Sequence, residues 1–277
     1  MEIAPGIASF AARTPTLPPA THTNSYALGT RDVLLVEPST PFEDEQCAFV
    51  DWARELRASG RRLVAIFLTH HHPDHVGGAN ALSRALGLPL WAHQLTADRL
   101  GDVAIERTLG DGDEIVLDGP RPQRWGVLHT PGHAPGHLCL HEAALGYVVA
   151  GDMVASTGTI LIEPEDGDMA VYLDQLGRLL RLGSRVVLPA HGAPIEEPHT
   201  VFQRYIKHRG MRESKILHAL VAAAPDGDTI DDIVPRAYDD TPQSVWPIAR
   251  LSLAAHLVKL VREGRVHADG NRYSLAH

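Results

Sequence analysis

The sequence predicts an α/β domain followed by a smaller helical module that ends in a β-hairpin. The chain has 277 residues, which suits one large domain with a small appendage. Hydrophobic residues make up 44% and charged residues 21% of it, as is typical of soluble globular proteins. Strand-like runs alternate with helical runs before Pro198 and give way to helices after it. Such alternation favours sheets covered by helices.

The predicted elements of the larger domain, residues 1–197, are short and mostly bounded by Gly, Pro or Asp. Strands are predicted at residues 25–28, 32–36, 62–68, 90–93, 114–117, 123–129, 137–141, 147–150 and 185–188. Apolar residues at 3.6-residue spacing predict helices at residues 42–59, 76–86 and 168–182.

Residues 198–277 form a second predicted domain with a different character. They carry 11 Lys and Arg against 9 Asp and Glu, whereas the whole chain has a net charge of −9. Helices are predicted at about 200–224, 230–238 and 244–263, with a break at 225–227. Residues 265–275, centred on Asp269 and Gly270, predict a hairpin. Helices followed by a hairpin are typical of a winged helix.

Composition and charge disfavour several classes of protein. A net charge of −9 argues against binding nucleic acid through bulk charge. Only two cysteines, Cys47 and Cys139, exclude a disulfide scaffold and a Cys-rich zinc module, and suit a reducing cytosol. We find neither an apolar run of the roughly 18 to 20 residues that span a bilayer nor an export signal. We therefore expect a soluble, cytoplasmic protein that does not contact a membrane.

A strand-to-helix loop carries the densest cluster of metal-binding residue types. The strand at 62–68 runs through Thr69 into His-His-His-Pro-Asp-His at 70–75. His70, His72, Asp74 and His75 can converge, because alternate residues of an extended stretch share a side and the turn brings the next pair round. Imidazole beside carboxylate suits zinc or iron(II). The loop therefore predicts a metal site.

Three further candidate ligands follow later strands. His133 ends Thr-Pro-Gly-His at 130–133, Asp152 follows the strand at 147–150, and His191 lies in Pro-Ala-His-Gly at 189–192. Loops past strand ends gather at one edge of a sheet and present side chains to a common cleft. Seven candidates exceed the ligand number of one zinc ion, so a pair of ions about 3.5 to 4 Å apart is predicted.

Together these motifs, THHHPDH, TPGH, GD and PAHG, closely resemble the metallo-β-lactamase superfamily over about residues 3–195. The resemblance implies an αββα sandwich of two mixed sheets with helices outside. It also implies the ligand sets: His70, His72 and His133 for one ion, Asp74, His75 and His191 for the other, and Asp152 as the bridge. Residues 205–217 and 246–266 resemble the lactamase-beta-two-like branch, whose hydrolase domain precedes a C-terminal winged helix.

The resemblance implies a hydrolase in which hydroxide held by two divalent ions attacks a carbonyl or phosphoryl centre. Zinc is favoured, with manganese or iron(II) as alternatives, and Asp74 is the candidate that orients the nucleophile. Class B β-lactamases carry Cys where this chain has Asp152, which argues against antibiotic hydrolysis. We expect a small ester or thioester as substrate. Two alternatives remain: an endoribonuclease for single-stranded RNA, and a nucleic-acid-binding regulator with a vestigial hydrolase domain.

Several further roles stay open at the level of sequence. Glu37 is either a carboxylate that supports a metal ligand or an exposed loop acid. His22 and Asn24 are candidates for the substrate rim, and His137 for the cleft or for a plain strand position. The tail either walls the cleft or forms a homodimer interface. DNA binding is less favoured than either of these roles, because the basic residues of the tail are scattered and a DNA-recognition helix usually carries denser positive charge.

Overall fold

The computed structural model describes residues 1–221 and 226–276, which form two compact units. The first unit comprises Met1–Thr130, Ala134–Gly158 and Gly183–Pro198. The second comprises Pro131–His133, Thr159–Leu182 and the chain from His199 onward. The second unit thus combines the tail with two segments that precede it in the sequence.

Two β-sheets form the framework of the first unit. The first sheet has seven strands that are neighbours in chain order: β1 (Glu2–Ala4), β2 (Ile7–Arg13), β3 (His22–Leu28), β4 (Asp32–Val36), β5 (Arg62–Phe67), β6 (Leu90–Ala92) and β7 (Arg107–Thr108). Strands β1 to β4 pair antiparallel, and β4 to β7 pair in parallel. The second sheet has the order β12-β11-β10-β9-β8: β8 (Glu114–Leu117), β9 (Gln123–His129), β10 (Leu138–Glu142), β11 (Tyr147–Gly151) and β12 (Val186–Pro189). Only its β11 and β12 pair in parallel.

The two sheets pack face to face around one apolar core. Phe67 of the first sheet and Trp125 and Leu140 of the second are fully buried in it. The other face of the first sheet is covered by helices, where Phe49 and Leu82 are buried. The helices of this unit are α1 (Glu43–Ala58), α2 (Pro73–Val76), α3 (Ala79–Leu86) and α4 (Gln94–Ala97). The predicted α/β class with two packed sheets is confirmed.

The described part of the second unit consists of helices and one hairpin. Its elements are α5 (Met169–Arg181), α6 (Pro198–Val221, which starts in the first unit), α7 (Ile230–Ala237), a 3₁₀ turn (Gln243–Val245), α8 (Trp246–Arg262), β13 (Val266–Asp269) and β14 (Arg272–Leu275). A capping box between Thr229 and Asp232 begins α7. Buried apolar residues of α6, α7, α8 and β13 share one core. The predicted winged helix is confirmed.

One described segment, Gln243–Arg262, is long and apolar enough to cross a membrane by length and composition alone. Arg250 and Lys259 interrupt this segment, so it contains no continuous apolar run of the predicted spanning length, although its mean hydropathy reaches 1.2. The segment packs as a core helix, with Leu253 and Leu257 fully buried against α6 and α7.

The structure differs from the predicted elements in a few places. Strands β1, β2 and β7 and helix α4 were not predicted. The helix predicted at 76–86 is interrupted at Gly78, where φ is −101° and ψ is 1°. A Cβ atom on Gly78 would lie 2.7 Å from the backbone oxygen of Thr40, so close backbone approach explains the break. The end of the helix predicted at 200–224, and Pro225 of the break, lie outside the described residues.

Candidate metal centre

The loops after four strands carry most of the predicted ligands. Parallel neighbours β4 and β5 end at Val36 and Phe67, and parallel neighbours β11 and β12 end at Gly151 and Pro189. The candidate residues that follow these ends are Glu37, His70, His72, Asp74, His75, Asp152 and His191. Ligands of α/β folds bind beyond the carboxyl ends of strands, and the distances below bring these side chains together.

His70 and His72 face each other at the start of α2. His70 is fully buried, and its Nδ1 atom lies 2.9 Å from Oγ1 of Thr69. Its Nε2 atom lies 3.0 Å from Nδ1 of His72. His72 is the extended N-cap residue before Pro73, and proline suits this first helical position because it needs no hydrogen-bond acceptor for an N–H. The local backbone therefore directs two imidazoles at one point.

Two imidazoles and two carboxylates meet beside this pair. Nε2 of His191 lies 3.5 Å from Oδ2 of Asp74 and 3.3 Å from Oδ1 of Asp152. Nε2 of His75 lies 3.7 Å and 3.6 Å from the same two atoms. Two overlapping groups, His70-His75-Asp152 and Asp74-His75-His191, each bring their donor atoms within 4.8 Å of one another. Six of the seven predicted ligands thus lie together in the first unit.

Hydrogen bonds set the orientation of His191. Its Nδ1 atom lies 3.0 Å from the backbone oxygen of His22. A carbonyl oxygen only accepts, so Nδ1 carries the proton and the lone pair lies on Nε2, which faces Asp74 and Asp152. Fixing one ring nitrogen of a histidine in this way prepares the other as a metal ligand.

Glu37 is a buried support for His75 and not an exposed loop acid. Its side chain is 1% exposed, and its Oε2 atom lies 3.4 Å from Nδ1 of His75. Its Oε1 atom accepts a hydrogen bond from the backbone N–H of Thr69 at 3.3 Å. The residue has a φ of +63°, a conformation uncommon for a residue other than glycine and often seen at functional sites.

His137 holds the backbone of Asp152. The N–H of Asp152 donates to Nε2 of His137 at 3.1 Å, and Nδ1 of His137 lies 2.8 Å from Oγ1 of Thr130. Gly151, with a φ of +48°, permits this approach, because a Cβ atom there would lie 2.5 Å from the same Nε2 atom. Sequence reasoning assigned no role to Thr130, because its contact with His137 depends on how the strands pair.

The electrostatics of the cluster fit a bound cation. Burial would lower the pKa of His75, but the carboxylates of Asp74, Glu37 and Asp152 raise it well above its usual range. Burial raises the pKa of Asp152, and the imidazoles of His191 and His75 outweigh this and hold it well below the ordinary value. The cluster thus concentrates negative charge that a cation can neutralise.

The donor set fits a divalent metal by its chemistry as well. The Nε2 atom of His75 is buried and makes no hydrogen bond among the described residues, since the carboxylate oxygens it faces lie 3.6 and 3.7 Å away; such burial is costly unless another group binds the nitrogen. Imidazole nitrogen with carboxylate oxygen is the donor mixture typical of zinc, manganese and iron(II) sites. We therefore assign this cluster as able to hold divalent metal.

His133, the seventh predicted ligand, belongs to the second unit. It is 6% exposed, and its Nδ1 atom donates to the backbone oxygen of Leu161 at 2.9 Å. Its Nε2 atom therefore carries the lone pair, as a metal ligand requires. The assignment of His133 to the first ion stays a prediction.

An open cavity of about 520 Å³ lies beside His191. Small side chains and polar groups line it: Ala11, Pro19, Ala20, Thr21, His22, Asn24, Thr157, His191 and Gly192. Asn24 donates through Nδ2 to the backbone oxygen of Gly192 at 2.7 Å and to that of Pro189 at 3.1 Å. The two predicted rim residues, His22 and Asn24, thus line a cavity that reaches a predicted ligand.

Comparison with known proteins agrees with the fold and the motifs. Residues 18–191 match the family model described as Metallo-beta-lactamase superfamily. Residues 229–273 match the model described as Beta-lactamase associated winged helix domain. Relatives include a Beta-lactamase-like protein 2 homolog of Drosophila melanogaster, 30% identical over 261 residues that cover 89% of this chain and 85% of the relative. The Atrochrysone carboxyl ACP thioesterase of Aspergillus fumigatus is 28% identical over 211 residues, covering 76% and 63%.

Solved structures show the same architecture over nearly the whole chain. A beta-lactamase domain protein from Burkholderia ambifaria superposes with a TM-score of 0.83 at 25% identity, covering 100% of this chain and 93% of that one. A metallo-beta-lactamase family protein from Thermus thermophilus has a TM-score of 0.79 at 23% identity, covering 99% and 100%, and supports the fold alone. This chain belongs to the metallo-β-lactamase superfamily and is a hydrolase of that fold with a C-terminal winged-helix domain.

Proposed function

We propose that the protein hydrolyses a small carboxylic ester or thioester at a centre of two divalent ions, with zinc as the preferred metal. The position of Asp152 carries this proposal. Its Oδ1 atom lies 3.6 Å from Nε2 of His75 and 3.3 Å from Nε2 of His191. A carboxylate oxygen of Asp152 also lies within 4.8 Å of a ring nitrogen of His70. A carboxylate between two sets of imidazoles is the arrangement that a bridging ligand requires.

The residues have two kinds of role, holding metal and acting on substrate, and Asp74 has both. The proposed holders are the seven predicted ligands: His70, His72, Asp74, His75, His133, Asp152 and His191. Bound divalent ions would lower the pKa of a water molecule and polarise the scissile carbonyl group. Asp74, whose Oδ2 atom lies 3.5 Å from Nε2 of His191, can accept a proton and return it to the leaving group. His22 and Asn24 would contact the substrate at the cavity rim.

Paired charges in the tail favour a small substrate over RNA. Lys215 lies 2.6 Å from Asp239 and 3.0 Å from Asp240, and Arg212 is buried and lies 2.6 Å from Asp240. These ion pairs neutralise part of the positive charge of residues 207–215 on α6, the stretch of the tail that a phosphate backbone would follow. The thioesterase name of the Aspergillus fumigatus relative supports the thioester class.

An activity panel tests the proposal on the full chain loaded with zinc, manganese or iron(II). Acyl-thioesters, aryl esters, lactones and single-stranded RNA are compared side by side. We expect turnover of thioesters or esters, and a loss of roughly 100-fold or more in Asp74→Asn, the size of a general acid–base contribution. Asp51→Asn, an exposed residue paired with Arg54 on α1, is the control and should match the unmodified chain. Preferential RNA cleavage, or no turnover of any ester, would refute the proposal.

The proposed setting is the cytoplasm, with a small molecule as the partner of the site. A homodimer stays a prediction for the oligomeric state. Native mass spectrometry of the purified chain measures that state directly.

A further inference from the structure

We propose that Arg209, on helix α6 of the tail, positions the predicted metal ligand His133 without touching the metal. The link between them is the backbone of Ile160 and Leu161. The proposal rests on the proposed function, because it requires His133 to bind metal. All of these residues belong to the second unit.

One end of the link fixes the imidazole ring. Nδ1 of His133 donates to the backbone oxygen of Leu161 at 2.9 Å. Both the tautomer and the direction of Nε2 then depend on where the carbonyl group of Leu161 lies. Partners of this kind hold ligand histidines in place in metal proteins, and their loss weakens metal binding.

The other end of the link is Arg209. Its Nη2 atom donates to the backbone oxygen of Ile160, the residue before Leu161, and Nη1 donates to Oγ of Ser252 on α8 at 3.3 Å. Its Cζ atom lies 5.7 Å from the ring centroid of the buried Tyr172 on α5. The guanidinium group thus joins α5, α6 and α8 to the segment that carries the acceptor of His133.

The environment of Arg209 is unusual for a charged group. Arg209 is 3% exposed, and no carboxylate of the described residues forms an ion pair with it. A buried charge without a counter-charge is costly, and its hydrogen bonds to a backbone oxygen and a hydroxyl group only partly offset that cost. The planar fork of arginine reaches two acceptors at once, which one lysine ammonium group does less well. The hydrogen bond from Arg209 to the backbone oxygen of Ile160 gives a reason for burying this charged side chain.

A second contact fixes the loop that contains His133. The backbone N–H of Asp168 donates to the oxygen of Gly132 at 2.9 Å. The carboxylate of Asp168 caps α5 and also accepts a hydrogen bond from Arg262 on α8. Two helices of the tail therefore act on the surroundings of His133. Arg209 of α6 binds the segment that contains its acceptor Leu161, and Arg262 of α8 binds Asp168, which in turn binds Gly132.

Cobalt(II) binding tests the proposal, because the visible spectrum of cobalt reports ligand geometry independently of turnover. The metal-free full chain is titrated with cobalt(II) in four forms: unmodified, His133→Ala, Arg209→Met and Arg212→Met. Arg212 is the matched control, since it is buried one turn along α6 and contacts Ala237 and Asp240. We expect Arg209→Met to weaken cobalt binding about 10-fold, the lower end for partners of ligands, and to alter the spectrum. Arg212→Met should leave both unchanged.

The outcomes separate the two proposals. An unchanged spectrum and affinity in His133→Ala would refute His133 as a ligand and would overturn the positioning role with it. An effect of His133→Ala without one of Arg209→Met would overturn the positioning role alone. So would equal effects of Arg209→Met and Arg212→Met. If Arg209→Met does not fold, Arg209→Lys is compared with Arg209→Gln: the lysine, which keeps a cationic donor, should bind cobalt more tightly, and equal affinities would overturn the proposal.

Discussion

The buried imidazole of His256 makes a quantitative prediction about acid stability. His256 lies on α8, is fully buried, and has no hydrogen-bond partner on either ring nitrogen among the described residues. Burial, together with nearby positive charge, lowers its pKa from 6.5 to about 3. The charged groups responsible are Arg209, Lys259, His208 and Arg212. The folded chain therefore keeps His256 neutral at pH values where the unfolded chain protonates it.

The sign and size of the effect follow from proton linkage. Between pH 6.5 and pH 3 the unfolded state binds more protons at this site, so the free energy of unfolding falls as the pH falls. This contribution is fully present above pH 6.5. From pH 7 to pH 5 the loss is about 2 kcal/mol, because 1.5 pH units below the unfolded pKa correspond to about 1.4 kcal/mol each.

Urea unfolding of the metal-free chain at pH 7 and pH 5 measures this loss. We expect His256→Leu to remove about 2 kcal/mol of the pH dependence while keeping or raising the stability at pH 7, since leucine leaves no ring nitrogen unsatisfied. The control is His218→Gln on the exposed face of α6, which should retain the full dependence. Equal pH dependence in His256→Leu and the unmodified chain would refute the interpretation.

Three other predictions concern the metal, the substrate and the fold. The unmodified chain should bind close to two divalent ions in elemental analysis, and Asp152→Ala should lower the occupancy of both; full occupancy in the variant would contradict a bridging role. Nitrocefin should be hydrolysed with kcat/KM well below about 10⁴ M⁻¹s⁻¹, and faster turnover would argue for a true β-lactamase. Gly132→Ala should lower the stability by more than about 1 kcal/mol, because φ is +121° and the new Cβ atom would lie 2.4 Å from the backbone nitrogen of Tyr172. Gly210→Ala, with open space around it on α6, should raise stability by about 0.5 to 1 kcal/mol, and thermal unfolding measures both.

The sequence predicted most of the fold because its apolar patterns are local. It did not predict β2, where Ala8, Ser9, Ala11 and Ala12 replace the β-branched residues that mark a strand. Pairing with β3 over the full length of β2 forms that strand, and such pairing leaves no local signal. The cause of the helix interruption at Gly78 is also non-local, because it is the close approach of the Thr40 backbone, 38 positions earlier in the chain.

The candidate site was predictable as far as the motifs reach. Adjacent His and Asp residues after a strand identify ligands from spacing alone. The supporting residues were less predictable: the sequence offered Glu37 as a possible support without identifying His75 as its partner, and it gave no signal that Arg209 acts on His133 through a backbone segment. The contacts involved join residues 28 to 49 positions apart in the chain: His133 and Leu161, Glu37 and His75, and Arg209 and Ile160. Only the folded geometry reveals them.

The discontinuous second unit has a consequence for folding during synthesis. Residues 131–133 and 159–182 leave the ribosome before the helices that share their unit, α6 and α8. At roughly 5 to 20 residues per second, translation of the rest of the chain takes several seconds more. Throughout that time Ile160 lacks Arg209, and Asp168 lacks Arg262. The loop with His133 is therefore fixed only once α8 is available, so we expect metal to load after α8 has been synthesised and not before.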